Sequence, residues 1–153
     1  MTIIVYCDGL CEPTNPNGIA TYGFVVYRDG TKIHEGLGVT GVGQGMSNNV
    51  AEYDALCKAF DHLRSQGLTT QGITVRSDSK LLIKQMSGEW KKRPKGLYVS
   101  KYLEARKLQS NFNHVRYEWV PRELNKEADT LTRKSYKDYC KARGIRPRYY
   151  KTH

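Results

Sequence analysis

The sequence is short of acidic residues. It contains 15 Asp and Glu against 25 Lys and Arg, which gives a formal net charge of +10 and a pI near 9.5. Because a strongly positive field concentrates phosphate-bearing ligands, a polyanionic partner is the first expectation. A hydrophobic fraction of 39% with 10% aromatic residues is typical of a folded protein, and it excludes a basic disordered tail.

Cysteine pairs, a leader and long apolar runs are also missing. The four cysteines could pair in three ways, but they form no C-x-x-C motif, so we expect free thiols rather than a zinc site. The N-terminus lacks the pattern of a signal peptide, and no apolar run approaches the ~20 residues of a membrane span. We therefore expect a soluble cytoplasmic protein without a membrane partner.

The length of 153 residues suits one domain. Three β-prone runs open the chain, and Asp29-Gly30 predicts a hairpin between the second and the third. The pattern predicts an α/β fold, in which three antiparallel strands and then parallel strands form a mixed five-stranded sheet with helices on both faces. The predicted elements are strands at 2–8, 22–28, 31–39, 73–77 and 115–120, helices at 48–66, 79–87, 97–112 and 124–143, and a loop at 9–18.

Positive charge is concentrated in two segments. Residues 91–107 hold seven basic residues and one acid, a net +6, and residues 133–153 hold eight and one, a net +7. Aromatic residues in or beside both segments could stack on bases or sugars while the cations neutralise phosphates. A plain solvated surface is the alternative, and we favour nucleic-acid binding over it. The rings are those of Trp90, Tyr98, Tyr102, Tyr136, Tyr139, Tyr149 and Tyr150.

Four carboxylates occupy positions where an isolated acid is unexpected. Asp8 and Asp78 follow predicted strands, at the carboxyl ends where open α/β sheets place ligand sites. Glu52 is expected on the buried stripe of the first long helix, in its first turn, and Asp129 lies one turn into the last helix. The structural alternatives are a turn at Asp8, a capping box from Asn49 to Glu52, an N-cap at Asp78, and an ion pair of Asp129 with Lys126 or Arg133.

Taken together, the four acids favour a metal site. Clustered carboxylates repel and raise one another's pKa values unless cations neutralise them. Carboxylates without Cys or His suit Mg²⁺ or Mn²⁺. Two such cations about 4 Å apart can deprotonate a water and stabilise the leaving oxygen of a phosphodiester. The residues alone therefore predict metal-dependent hydrolysis of nucleic acid.

Four blocks in a fixed order carry a more specific signal. They are YCDG at 6–9 with N-P-x-G at 15–18, SNNVAE at 47–52, SDS at 77–79, and WVPRE-x-NKEAD at 119–129. In this order, over residues 1 to about 140, they resemble the type 1 ribonuclease H family in its compact prokaryotic branch. The resemblance implies a ribonuclease H catalytic domain at residues 1–143, followed by a basic C-terminal tail at 144–153, in a monomeric protein.

The resemblance also implies an activity. The enzyme would be an endonuclease that hydrolyses the RNA strand of RNA/DNA hybrids with two Mg²⁺, or Mn²⁺ in their place, leaving 5′-phosphate and 3′-hydroxyl ends. Its metal ligands and catalytic residues would be Asp8, Glu52, Asp78 and Asp129. Contacts to ribose 2′-hydroxyls would distinguish RNA from DNA. The candidate substrate contacts are Cys11, Asn15, Gly18, Ser47, Asn48, Asn49, Lys80, Trp90, Arg122 and Asn125.

Three departures from the family pattern leave alternatives open. The loop at 121–124 lacks the histidine that many relatives carry there, and Arg122 or Glu123 could replace it. Lys80 stands where a glutamine often contacts the minor groove. The basic handle is reduced to residues 90–96, so the tail is expected to add affinity. The alternatives are a core that acts on double-stranded RNA or RNA–DNA junctions, and a noncatalytic nucleic-acid-binding module.

Overall fold

The computed structural model describes residues 2–90 and 95–150. Its strands are β1 (Thr2–Glu12), β2 (Ile19–Arg28), β3 (Thr31–Val42), β4 (Gly72–Ser77) and β5 (His114–Trp119). Its helices are α1 (Asn48–Ser65), α2 (Lys80–Met86), α3 (Val99–Gln109) and α4 (Lys126–Ala142), with a 3-10 turn at Arg122–Leu124.

The strands form one sheet with the order β3-β2-β1-β4-β5. β1 pairs antiparallel with β2 and parallel with β4, β2 pairs antiparallel with β3, and β4 pairs parallel with β5. Asp29 and Gly30 turn the β2–β3 hairpin with φ values of 50° and 84°, which are the left-handed angles of a type I′ turn. The predicted mixed sheet and its hairpin are confirmed.

β1 and β2 are longer than predicted. The expected loop at 9–18 is shortened, because the antiparallel ladder continues from Asp8 to the pair of Glu12 with Ile19. The parallel ladder between β1 and β4 already ends at Tyr6 and Arg76. Asp8 therefore lies where the two ladders diverge rather than at the end of its strand. The Gly, Pro and Asn residues after position 8 predicted a turn, but buried side chains at the strand's end keep the backbone extended.

Helices cover both faces of the sheet, as predicted. α1, α2 and α3 pack on one face around the larger core, which includes Ile3 and Val5 of β1. α4 packs on the other face, where Tyr136 and Cys140 contact Leu10 in a smaller cluster. The odd-numbered residues of β1 thus serve the first core and the even-numbered ones face α4, as the alternation of a strand requires.

α1 begins two residues earlier than the capping-box alternative requires. Ser47 is its N-cap, and the Ser47 hydroxyl accepts a hydrogen bond from the Val50 N–H at 3.2 Å. The proposed capping box from Asn49 to Glu52 is therefore wrong, and Glu52 lies beyond the first turn. The helix ends as predicted at Gly67, whose φ of 71° lets the next N–H reach back to the Leu63 carbonyl.

Several rings that were predicted to stack on nucleic acid belong to the core. Tyr98 and Tyr102 both pack against Tyr53, with centroids 5.6 and 5.7 Å away, and the Tyr98 hydroxyl accepts a hydrogen bond from Gln85. Tyr136 is fully buried. The stacking prediction is wrong for these side chains, because they pack in or against the hydrophobic core. Residues 91–94 and 151–153 of the two basic segments lie outside the described residues. Of the rings predicted to stack on nucleic acid, those of Trp90, Tyr149 and Tyr150 are exposed.

The cysteines and the helices bear on two further expectations. All four cysteines are buried free thiols, as predicted. In the part of the chain that the structure describes, none of the helices has the length and apolar character that a bilayer crossing requires.

A close approach of β1 to α1 joins the sheet to the helix that carries Glu52. A Cβ atom on Gly9 would lie 2.3 Å from the Glu52 nitrogen and 2.5 Å from the Ala51 carbonyl carbon. Only a residue without a side chain allows this distance, since both neighbours are backbone atoms. The contact sets Asp8, the residue before Gly9, beside the start of α1.

We expect Gly9→Ala to lower the free energy of unfolding by about 1–3 kcal/mol, because the added methyl group overpacks the β1–α1 contact. The matched control is Gly72→Ala, where a Cβ meets nothing within 4 Å, and we expect a change of at most about 0.5 kcal/mol. Urea denaturation of both variants measures the difference. Equal stabilities would contradict the proposed backbone contact.

Candidate active site

Three carboxylates meet at the point where β1 and β4 diverge. Asp8, Glu52 and Asp78 each offer one oxygen, and these oxygens all lie within 4.8 Å of one another. Asp8 and Glu52 are only 7% and 9% exposed. β1 supplies Asp8, α1 supplies Glu52, and Asp78 directly follows β4. The sequence-based grouping of these acids agrees with the geometry.

The fourth predicted acid approaches from the opposite face of the sheet. Asp129 lies in the first turn of α4, and its carboxyl group is within hydrogen-bonding reach of Asp8. Its Oδ2 atom also accepts a hydrogen bond from the Arg133 Nε at 3.0 Å. The ion pair considered as an alternative role for Asp129 is therefore present. It does not draw Asp129 away from the other acids.

The acids of the cluster disfavour one another's charged forms. Burial raises the pKa of Asp8, and the charges of Asp78 and Glu52 raise it further. The same burial and the same acids raise the pKa of the neighbouring Cys7 thiol. A bound divalent cation would relieve this repulsion, and carboxylate oxygens without nitrogen or sulfur ligands are the donors that Mg²⁺ and Mn²⁺ prefer. The donor set therefore fits such a metal.

Asn125 holds two strands of the site together. It is 2% exposed, and its side-chain amide donates hydrogen bonds to the Cys7 carbonyl at 3.0 Å and to Asp78 Oδ1 at 3.1 Å. The sequence suggested Asn125 as a substrate contact. Its burial and its two inward hydrogen bonds instead favour a positioning role, in which it fixes the Asp78 carboxylate next to β1.

Asp78 does not cap α2, so its carboxylate is available to the cluster. Ser79 is the N-cap, and its hydroxyl accepts a hydrogen bond from the Leu82 N–H at 3.2 Å. The Asp78 carbonyl is held by Trp119, whose indole N–H donates to it at 3.1 Å. Lys80 lies over the same indole, with its ammonium 5.2 Å from the ring centroid. Sequence reasoning missed Trp119, although it opens the last of the four blocks.

The predicted substrate contacts of the first loop lie together with those at the start of α1. Asn15 and Asn48 form a reciprocal pair, in which the Asn15 amide donates to Asn48 at 2.9 Å and the Asn48 N–H donates to Asn15 at 3.0 Å. The Cys11 thiol donates to the Thr14 carbonyl at 3.2 Å, and the tight turn leaves no room for a side chain at Gly18. Ser47 and Asn49 flank Asn48 at the start of α1.

Two further candidate contacts are exposed on other elements. Arg122 belongs to the 3-10 turn that precedes Asn125. Trp90 follows α2, and its backbone N–H donates to the Lys84 carbonyl at 3.0 Å. Both side chains are exposed. Residues 91–94 of the reduced basic handle lie outside the described residues, so the handle stays a prediction.

Comparison with known proteins identifies relatives of this chain. The model of a family described as reverse transcriptase-like matches residues 7–135. A bifunctional protein of Mycobacterium tuberculosis is 37% identical over 131 residues, which make up 86% of this chain and 34% of that protein. Ribonuclease HI of Halobacterium salinarum is 34% identical over 133 residues, or 87% of this chain and 63% of that protein. This chain therefore spans about a third of the mycobacterial relative.

Solved structures of RNase H1 proteins are also similar to this chain. The crystal structure of RNase H1 from Halobacterium salinarum has a TM-score of 0.77 at 32% identity, covering 90% of this chain and 99% of that one. LC11-RNase H1 in complex with an RNA/DNA hybrid has a TM-score of 0.79 at 29% identity, covering 90% and 98%.

The mixed sheet and its acidic cluster define a fold of the ribonuclease H class. Both the family model and the solved relatives cover most of the chain. The chain belongs to the type 1 ribonuclease H family.

We expect Asn125→Ala to lower the free energy of unfolding by about 1–3 kcal/mol, because the buried Cys7 carbonyl loses its donor. Asn111→Ala is the control, since that exposed amide donates to the nearby Leu108 carbonyl on the protein surface, and a change within about 0.5 kcal/mol is expected. Thermal and urea unfolding measure both. A variant of Asn125 as stable as its control would exclude the bracing role.

We expect Asp8→Asn to stabilise the protein in the presence of a chelator, by about 1 kcal/mol, because one of several crowded negative charges is removed. Adding Mg²⁺ should raise the melting temperature of the wild type, since a ligand that binds the folded state stabilises it, and should have little effect on the variant. Calorimetry with and without Mg²⁺ tests this. An equal Mg²⁺ effect on both proteins would remove Asp8 from the metal site.

Proposed function

We propose that this protein is a metal-dependent endoribonuclease that hydrolyses the RNA strand of RNA/DNA hybrids and leaves 5′-phosphate and 3′-hydroxyl ends. The observation that carries the proposal is the meeting of Asp8, Glu52 and Asp78 within 4.8 Å, in a chain of the ribonuclease H family. A structural neighbour bound to an RNA/DNA hybrid supports the choice of substrate.

Asp8 is the acid that interacts with all three others. Its carboxylate lies within 4.8 Å of Glu52 and Asp78, and Asp129 approaches it from α4. When bound, two Mg²⁺, or Mn²⁺ in their place, would supply an activated water and a stabilised leaving oxygen. The chain's own task is to hold the carboxylates at fixed positions, and Asn125 contributes to it by anchoring Asp78.

The residues of the β1–β2 loop and of the start of α1 would recognise the RNA strand. Asn15, Asn48 and the tight turn at Gly18 present amide and backbone groups there, and such groups can bond to ribose 2′-hydroxyls. Lys80, Trp90 and Arg122 are exposed and would contact the backbones of the hybrid. The positive surface recruits the polymer, because neutralised phosphates release their counterions.

The proposal also includes the cellular location, the oligomeric state and the domain bounds of the protein. Buried free cysteines fit a reducing compartment, so we propose a cytoplasmic location. One chain supplies all four acids, which makes the monomer the active unit. A catalytic domain at 1–143 with a basic segment from 144 onward remains part of this proposal.

Double-stranded RNA and RNA–DNA junctions are the second candidate substrates. The ground for them is Lys80, which lies over Trp119 next to Asp78 at the position where the family pattern has a neutral glutamine. A panel of hybrid, double-stranded RNA, double-stranded DNA and a single-ribonucleotide duplex separates the candidates. A noncatalytic binding module is disfavoured, since clustered acids repel phosphates.

We expect Asp129→Asn to abolish Mg²⁺-dependent cleavage of a labelled RNA/DNA duplex and to leave its affinity for the hybrid almost unchanged, because the carboxylate serves the metal site rather than the phosphate backbone. The control is Asp138→Asn, which alters an exposed acid of the same helix that is paired with Lys134 at 2.7 Å. Undiminished cleavage by Asp129→Asn would overturn the four-acid assignment.

A further inference from the structure

The segment that follows α4 is fixed to the body of the protein. We call residues 145–150 the post-helix segment. Gly144 ends α4 with a φ of 65°, and the Ile145 N–H returns to the Cys140 carbonyl at 2.8 Å. The buried Tyr136 hydroxyl then donates to the Arg148 carbonyl at 2.6 Å and accepts from the Arg148 N–H at 3.1 Å. A basic tail that acted only through its charge would not need these contacts.

The end of this segment meets the end of β1. Glu12 is fully buried at the last position of β1, and its Oε1 atom accepts a hydrogen bond from the Tyr150 N–H at 2.9 Å. A buried carboxylate requires hydrogen-bond donors, because desolvation of its charge is costly. Tyr150 is thereby anchored at the last residue of β1, next to the short loop between β1 and β2.

The Tyr150 side chain also approaches the β1–β2 loop, which carries candidate RNA contacts. Its hydroxyl lies within hydrogen-bonding reach of the Asn15 amide. Burial raises the pKa of Tyr150, the Asn15 amide lowers it, and the charges of Glu12 and Glu52 raise it again. Tyr150 is therefore close to the loop through its hydroxyl and to the end of β1 through its backbone N–H. About half of its surface, 49%, remains exposed.

Asn15 thus has an interaction partner on each of two sides. On one side it exchanges two hydrogen bonds with Asn48 at the start of α1, and on the other side it meets Tyr150. We propose that Tyr150 is a positioning residue for RNA recognition, which holds the Asn15 side of the β1–β2 loop in the geometry that reads the ribose. This inference rests on the proposed function and adds to it a specificity determinant outside the four sequence blocks.

A purely structural role for Tyr150 predicts a different outcome. If the residue only secured the post-helix segment, its loss would lower stability and leave the response to a missing 2′-hydroxyl unchanged. If the segment acted only through phosphate contacts, removing a neutral hydroxyl would not alter binding. A positioning role alone couples the Tyr150 hydroxyl to the sugar of the substrate.

The test compares Tyr150→Phe with Tyr149→Phe in the full chain. Both variants lose one hydroxyl and keep the ring, and Tyr149 packs edge-on against Tyr136 rather than against the loop. Steady-state kinetics use an RNA/DNA hybrid, and the same hybrid with single deoxyribonucleotides in place of the ribonucleotides that flank the cut. We expect Tyr150→Phe to raise KM for the all-RNA strand about three- to tenfold, as the loss of one hydrogen bond does. We expect kcat to stay unchanged.

The decisive readout is the penalty for a missing 2′-hydroxyl. We expect the KM increase caused by the deoxy substitution to be smaller in Tyr150→Phe than in the wild type, because the contact is already weakened, and to be unchanged in Tyr149→Phe. Equal deoxy penalties in all three proteins would overturn the proposal, as would a fall in kcat at unchanged KM. A wild-type protein that leaves the hybrid uncut refutes the proposed function instead, so the two failures are distinguishable.

Discussion

The crowding of carboxylates around Asp8 is the constraint on which the rest of the site depends. Their mutual repulsion opposes folding, and burial raises the pKa of Asp8 further, so the fold must hold the acids in place by other contacts. Gly9 lets α1 approach β1, Asn125 ties Asp78 to β1, and Arg133 balances the charge of Asp129. The crowded acids lower the stability of the fold at this point, and under the proposed function the same crowding would favour the binding of a cation.

A second buried carboxylate on the same strand organises the neighbouring loop. Glu12 lies four residues beyond Asp8 on the face that the strand's alternation assigns to α4 and the post-helix segment. It draws the Tyr150 N–H across the chain to the start of the β1–β2 loop. The longer β1 therefore joins two buried carboxylates on one strand, the acid of the candidate site at Asp8 and the partner of Tyr150 at Glu12.

Local patterns predicted the mixed sheet, the Asp29-Gly30 hairpin and the grouping of acids, because each depends on spacing along the chain. The errors arise where tertiary contacts compete with local signals. Turn-forming residues after Asp8 hid the end of β1, and Ser47 outcompeted Asn49 as N-cap. Asn125 could not be recognised as a brace, because its partners are 118 and 47 residues away in sequence. Long-range hydrogen bonds leave no periodic trace.

The net charge of +10 overstates the cations that remain for phosphates. Lys101 lies 3.1 Å from the buried Asp54, Arg106 bonds to Tyr102 on its own helix, and Arg133 serves Asp129. These basic residues secure helices rather than substrate. The two basic segments therefore offer fewer charges to a polyanion than their composition suggests, so charge alone does not fix how a nucleic acid would lie on the protein. Under the proposed function, the acids at the point where β1 and β4 diverge would fix that orientation by binding the metal ions that act on the scissile phosphate.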